Sequence, residues 1–237
     1  MKALISMVSG QSMVGRQRIA RLAVHGFFIT TLLASAAPAD IVIDDFVNFD
    51  AGLWPLVANS GVPSASNFQS GLTGVVGGIR EASAEWTSGT NDVTASMSAG
   101  TYSLAAGGAT DGQGRLTYRD GSGGLNADLT LGEDIVVNVA SGDLGSTAIT
   151  VLLQDNLGAS ASSTQIVGAL GELSFPLTDF GVGLNLSEID FVEVTIDPFA
   201  GTQISLDSIT ANLIPEPTSL VLLGLVGLWL PFRRRRV

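Results

Sequence analysis

Residues 190–196 read DFVEVTI. In an extended chain Phe191, Glu193 and Thr195 fall on one face, and Val192, Val194 and Ile196 on the other. Strict alternation among β-branched and aromatic residues predicts a strand with one buried and one solvated side. Outward from this stretch the pattern recurs in IVIDDF (41–46), ASAEWT (82–87), DVTASMS (92–98) and RLTYRD (115–120). It continues in IVVNVA (135–140), TAITVLLQD (147–155) and QISLDSITANLI (203–214), the runs being separated by Gly, Asp, Asn and Ser. In the last of these the apolar phase changes, from Ile204 and Leu206 to Ile209, Ala211 and Leu213. A bulge near Ser208 would reconcile the two halves.

No stretch of the body supports an amphipathic helix of ten residues; PLTDFGVGLNLSEID (176–190) holds at most one helical turn, with Ser187 near its cap. Ten or more strands spaced roughly 8–15 residues apart predict an all-β protein, a single β-sandwich or jelly roll, rather than parallel βαβ units. The 175 residues from 40 to 214 suffice for one such core. The glycine-rich stretch GGATDGQGRLTYRDGSGG (107–124) lacks the Gly-Lys-Ser/Thr of a phosphate loop. Its Asp-Gly pairs at 111–112 and 120–121 read as turns on either side of the strand RLTYR.

Both ends differ from this body. Lys2, Arg16, Arg18 and Arg21 precede the apolar AVHGFFITTLLA (23–34), and Ala37-Pro38-Ala39 supplies small residues before Asp40. A basic flank, an apolar helix and an A-x-A exit form a secretory signal, 1–39, cut between Ala39 and Asp40. Met13 is an alternative start to Met1. At the other end, TSLVLLGLVGLWL (218–230) contains 13 residues, about 20 Å of helix. A bilayer core of ~30 Å needs about 20 apolar residues, so with its flanks this is a minimal transmembrane helix. Arg233, Arg234, Arg235 and Arg236 would stop it on the cytoplasmic side. The fold expectation is thus one β-sandwich domain (40–212) between a signal helix and a C-terminal segment, 213–237.

The sequence contains 22 acidic and 11 basic residues. Within 40–214 only Arg80, Arg115 and Arg119 face 21 carboxylates, a net charge of −18. Such a surface excludes nucleic acid, whose phosphates need basic partners. There is no cysteine, and the one histidine, His25, lies in the signal. Histidine triads, thiol chemistry and histidine metal sites are therefore excluded from the mature chain.

The C-terminal segment resembles the PEP-CTERM sorting signal: Pro215-Glu216-Pro217, a short apolar helix and a terminal arginine cluster. The usual valine before the motif is Ile214 here. The resemblance implies recognition of Pro215, Glu216 and Pro217 by an exosortase-type membrane protease, after transient membrane insertion. It implies delivery to the envelope or extracellular matrix of a Gram-negative bacterium. Separately, IVIDDF, GGIREAS (77–83), FPLTDF, LSEIDFVEVTI and ISLDSI resemble short motifs of galactose-binding-like jelly rolls. That likeness implies a fold with sugar-binding loops and a structural calcium ion.

The body is therefore expected to be a non-catalytic structural or polysaccharide-binding module. Trp54, Trp86, Tyr102 and Tyr118 are the aromatic residues able to cover a sugar's apolar face, and Trp54, beside Pro55, reads as the most loop-like. Asp44, Asp45 and Asp207 are the expected calcium ligands, should the first and last strands pair. No other cofactor is expected. The alternative is a carboxylate-dependent glycoside-active enzyme, which needs two convergent Asp or Glu residues. Neighbours such as Asp44 and Asp45, or Glu133 and Asp134, point to opposite faces of a strand and do not supply them.

Overall fold

The computed structural model describes residues 39–98, 100–120 and 124–214. The expected signal segment before Ala39, the Pro215-Glu216-Pro217 motif, the apolar run and Arg233–Arg236 lie outside the described residues. Ala39–Ile214 forms one compact unit with its own hydrophobic core.

Two antiparallel sheets build this unit. The first contains β1 (Ile41–Asp44), β2 (Leu56–Ala58), β5 (Val93–Ser98), β6 (Thr101–Ala106), β8 (Gly132–Gly142), β11 (Gly171–Pro176) and β13 (Gln203–Leu213). Its order is β11-β8-β13-β6-β5-β2, with β1 also paired to β13. The second contains β3 (Ser64–Ser70), β4 (Ile79–Ser88), β7 (Asp111–Tyr118), β9 (Ala148–Asp155), β10 (Ser160–Ile166) and β12 (Ile189–Asp197). Its order is β10-β9-β12-β7-β4-β3. The sandwich expected from alternation is the fold observed.

The strand quoted first, β12, sits near the middle of the second sheet between β9 and β7. Val192, Val194 and Ile196 are buried, while Phe191, Glu193 and Thr195 form the partly exposed outer row. β13 carries the expected irregularity: its register with β8 shifts between Leu206 and Ser208. Ile204 and Leu206 are buried before the shift, Ile209 and Ala211 after it. One extra residue thus keeps both halves facing the core.

Two local expectations need correction. Asp111-Gly112 is not a turn, because β7 runs from Asp111 to Tyr118 and includes Gly112 and Gly114. A Cβ at Gly114 would lie 2.6 Å from the Tyr102 hydroxyl and 2.8 Å from a Leu104 methyl of the facing sheet. The glycine is there for close approach of the two layers, a role that reads like a turn signal in sequence. The Gly121 of the second pair lies outside the described residues. In 176–190 the helical turn is a 3-10 segment at Leu177–Phe180. Ser187 does not cap it; its hydroxyl bonds Asn185 Oδ1 instead.

Several strands carry weak patterns. β10, SASSTQI, is the sheet edge and pairs only with β9, so its serines need no buried face. β3, SASNFQS, is the opposite edge and buries only Asn67 and Gln69.

Candidate functional site

The expected ligand residues differ in exposure. Tyr118 and Tyr102 are fully buried. Trp54 packs edge-on against Tyr102, 6.1 Å between ring centroids. Trp54 and Trp86 both lie against the core, with Nε1 sealed from solvent and unpartnered among the described residues. The two tyrosines therefore offer no ring face as a platform, while Trp54 and Trp86 are half-buried. Their bulk fills the sandwich, which has only 6% aromatic residues to draw on.

The expected calcium ligands are not assembled either. The first and last strands do pair, but the register sets Asp44 against Ile209. Asp44 is fully buried and accepts two hydrogen bonds from Arg80 Nη1, at 3.0 and 2.7 Å. A third comes from the Phe46 amide at 2.8 Å. Asp45 accepts from the Val47 amide, and Asp207 lies exposed at the bulge. Among the described residues no group of three or more acidic or histidine side chains could hold a metal ion.

Arg80 is the missed residue here. Its Nη2 also donates to the Asn48 carbonyl at 2.8 Å and to Gln69 Oε1 at 2.7 Å. It thereby ties β1 of the first sheet to β3 and β4 of the second. Burial holds the Asp44 carboxyl above its ordinary value of 3.8, outweighing the pull of Arg80. The Tyr118 phenol is likewise pushed well up, by burial first and then by the adjacent Asp44 charge.

Asp197 is also raised, by burial and then by Asp111. Asp128 is lowered by the Thr130 hydroxyl and amide, and Asp155 chiefly by the Asn185 amide. Raised groups favour the fold below their ordinary pKa and lose that contribution as pH climbs through the higher value. Lowered groups act oppositely, losing theirs as pH falls. With 21 carboxylates repelling one another, the melting temperature should peak near pH 4–5 and fall toward pH 8. Calorimetry across this range checks it; a melting temperature that rises toward neutrality would contradict it.

Arg115 and Arg119, the other two arginines of the body, lie together on the outer face of the second sheet. There a shallow groove of about 320 Å³ is lined by residues of β3, β4, β7 and β12 and by Arg119 just past β7. Strand register explains the gathering. Phe68, Glu81, Thr117 and Glu193 form one row across four strands. Ser66, Ser83, Arg115 and Thr195 form the next. Arg119 Nη2 bonds Glu81 Oε2 at 2.9 Å. Arg115 stands between Glu85 and Glu193, with nitrogen–oxygen distances of 3.7 Å to each. Gln113 Nε2 donates to Glu85 Oε2 at 2.6 Å. Phe191 lines the groove, and Phe68 at its border is 52% exposed.

Ion pairs this exposed contribute about 0–1 kcal/mol each, so stability does not account for placing both surface arginines here. The arrangement offers carboxylate acceptors, guanidinium donors and two-way Ser and Thr hydroxyls around apolar rings. Those are the groups that hold a polyol with an apolar face. In sequence the arginines stood out only by their scarcity and the glutamates not at all, although REASAEW, GRLTYR and FVEVTI each place polar residues at every second position. What was not legible was that β12, β7 and β4 are neighbours.

No family model and no curated protein matches the chain. Among solved structures, the family 11 carbohydrate-binding module of a cellulosomal cellulase of Clostridium thermocellum is 14% identical, with a TM-score of 0.39. The match covers 76% of this chain and 97% of that one. A family 29 carbohydrate-binding module complexed with mannohexaose is 15% identical, with a TM-score of 0.32, over 50% of this chain and 74% of that one. A family 61 module bound to β-1,4-galactotriose is 11% identical, TM-score 0.30, over 68% and 88%. At these identities and scores the likeness assigns no ligand to this chain.

Proposed function

We propose that this protein is an exported, non-catalytic carbohydrate-binding module of the cell surface or extracellular matrix. The observation that carries the sugar-binding part is the groove on the outer face of the second sheet. It gathers Glu81, Glu85, Glu193, Arg115 and Arg119 beside Phe191 in a body of otherwise acidic surface. A polysaccharide would lie across the strands, its hydroxyls bonded to these side chains and an apolar sugar face on Phe191. The test is affinity electrophoresis of residues 40–214 through gels containing neutral polysaccharides. Phe191→Ala should weaken binding about tenfold, or ~1.4 kcal/mol, without lowering the melting temperature appreciably. Release of new reducing ends would overturn the non-catalytic reading.

Export and sorting complete the proposal. The tripartite ends support removal of 1–39 and recognition of Pro215-Glu216-Pro217 by an exosortase-type protease. Protein from the native host should begin near Asp40 and end near Pro217. Glu216→Ala should accumulate as a membrane-bound precursor. Intact-mass measurement showing Arg233–Arg236 retained in the mature protein would overturn the sorting reading.

A further inference from the structure

We propose that Arg115, Glu85 and Glu193 act together as a charge filter, taking a neutral sugar hydroxyl and rejecting carboxylated sugars. The inference rests on the reading of the groove as a sugar site and specifies its ligand class. Arg115 Nη2 lies 3.7 Å from Glu85 Oε1, and Nε lies 3.7 Å from Glu193 Oε1. Both distances exceed hydrogen-bond length. Nε has no hydrogen-bond partner among the described residues, though it is closed off from bulk water. The guanidinium therefore stands between two carboxylates that offset its charge, and neither of these two contacts is a hydrogen bond.

A hydroxyl satisfies this arrangement from both sides. Its oxygen accepts from Arg115, and its proton goes to Glu85 or Glu193. A uronate could form a forked pair with a lone arginine. Here it would lie between two glutamates and could donate to neither, in a body of net charge −18. The neighbouring Arg119 is paired as well, its Nη2 bonded to Glu81 at 2.9 Å, so its charge too is offset by a glutamate. Specificity of this kind comes from repulsion of the wrong ligand as well as attraction of the right one.

The test compares matched polymers that differ in charge. Hydroxyethyl cellulose is set against carboxymethyl cellulose, amylose against carboxymethyl amylose, and galactan against its C6-oxidised form. Wild-type residues 40–214 should bind a neutral member at least about tenfold more tightly than its carboxylated counterpart, a difference of ~1.4 kcal/mol. The E85Q/E193Q double variant should reduce that ratio about tenfold or more. The E133Q/E172Q double variant removes the same charge from exposed positions on the other sheet and should leave the ratio unchanged. Arg115→Met should weaken neutral binding about tenfold. A ratio that E85Q/E193Q leaves unaltered, or that both double variants alter equally, overturns the filter while the sugar site stands. Retention by no polymer, neutral or carboxylated, overturns the sugar site and the filter with it.

Discussion

Replacing Arg80 with methionine is expected to destabilise the protein by roughly 3–5 kcal/mol. Arg80 and Asp44 are both fully buried, and the guanidinium supplies two of the hydrogen bonds Asp44 accepts. Removing it strands a carboxylate between the sheets and leaves Gln69 Oε1 and the Asn48 carbonyl without that donor. For a domain of this size the loss is about 6–20 °C in melting temperature. The loss should be smaller at pH 5 than at pH 8, since an unpaired, buried Asp44 can take up a proton instead of holding a charge. Removing both partners, as Asp44→Leu with Arg80→Met, should recover much of the stability, because no lone charge remains. Thermal unfolding of the two single variants and the double variant separates the cost of the orphaned group from the worth of the pair. Equal losses in the single and double variants would show that the pair itself stabilises.

Gly114→Ala is the second expected large effect. Its Cβ would meet the Tyr102 hydroxyl at 2.6 Å and Leu104 methyls at 2.8 and 2.9 Å. Tyr102 and Leu104 are fully buried on the facing sheet, so their side-chain ends must shift against packed neighbours. Overpacking of this kind costs about 1–3 kcal/mol, or roughly 2–12 °C here. Gly108, where a Cβ would meet nothing within 4 Å, is the control and should tolerate alanine. Similar melting temperatures for the two variants would mean that the layers are looser at β7 than these distances indicate.

The architecture was legible wherever one side of a strand must be dry. DFVEVTI shows it plainly, since Val192, Val194 and Ile196 can be buried together only in an extended chain. The phase change in QISLDSITANL likewise leaves little choice but a bulge, because both halves carry aliphatic residues that must face the same core. Positions where composition imitates another role were harder. Gly112 looks like a turn residue but lies within β7, where a Cβ would run into the Glu85 backbone of β4 and the Val93 side chain of the facing sheet. Arg80 is not distinguished in sequence from Arg115 and Arg119, yet it lies buried against Asp44, 36 positions earlier in the chain. The groove was least legible, because alternation tells which residues point outward but not which strands lie side by side. Glu81, Arg115 and Glu193 meet only because the sheet order is β12-β7-β4. The tyrosines were hard to read for a related reason: in a core with few aromatics, large rings such as Tyr102 and Tyr118 are used for packing.

The most direct measurement is a heteronuclear NMR titration of isotopically labelled residues 40–214 with a neutral oligosaccharide of whichever polymer is retained in the gels. Amide shifts should concentrate at residues 81–85, 113–119 and 191–195, on the outer face of the second sheet, and should need about tenfold more ligand in Arg115→Met. Shifts centred on the first sheet, or at the turns around Trp54 and Asp44, would contradict the account.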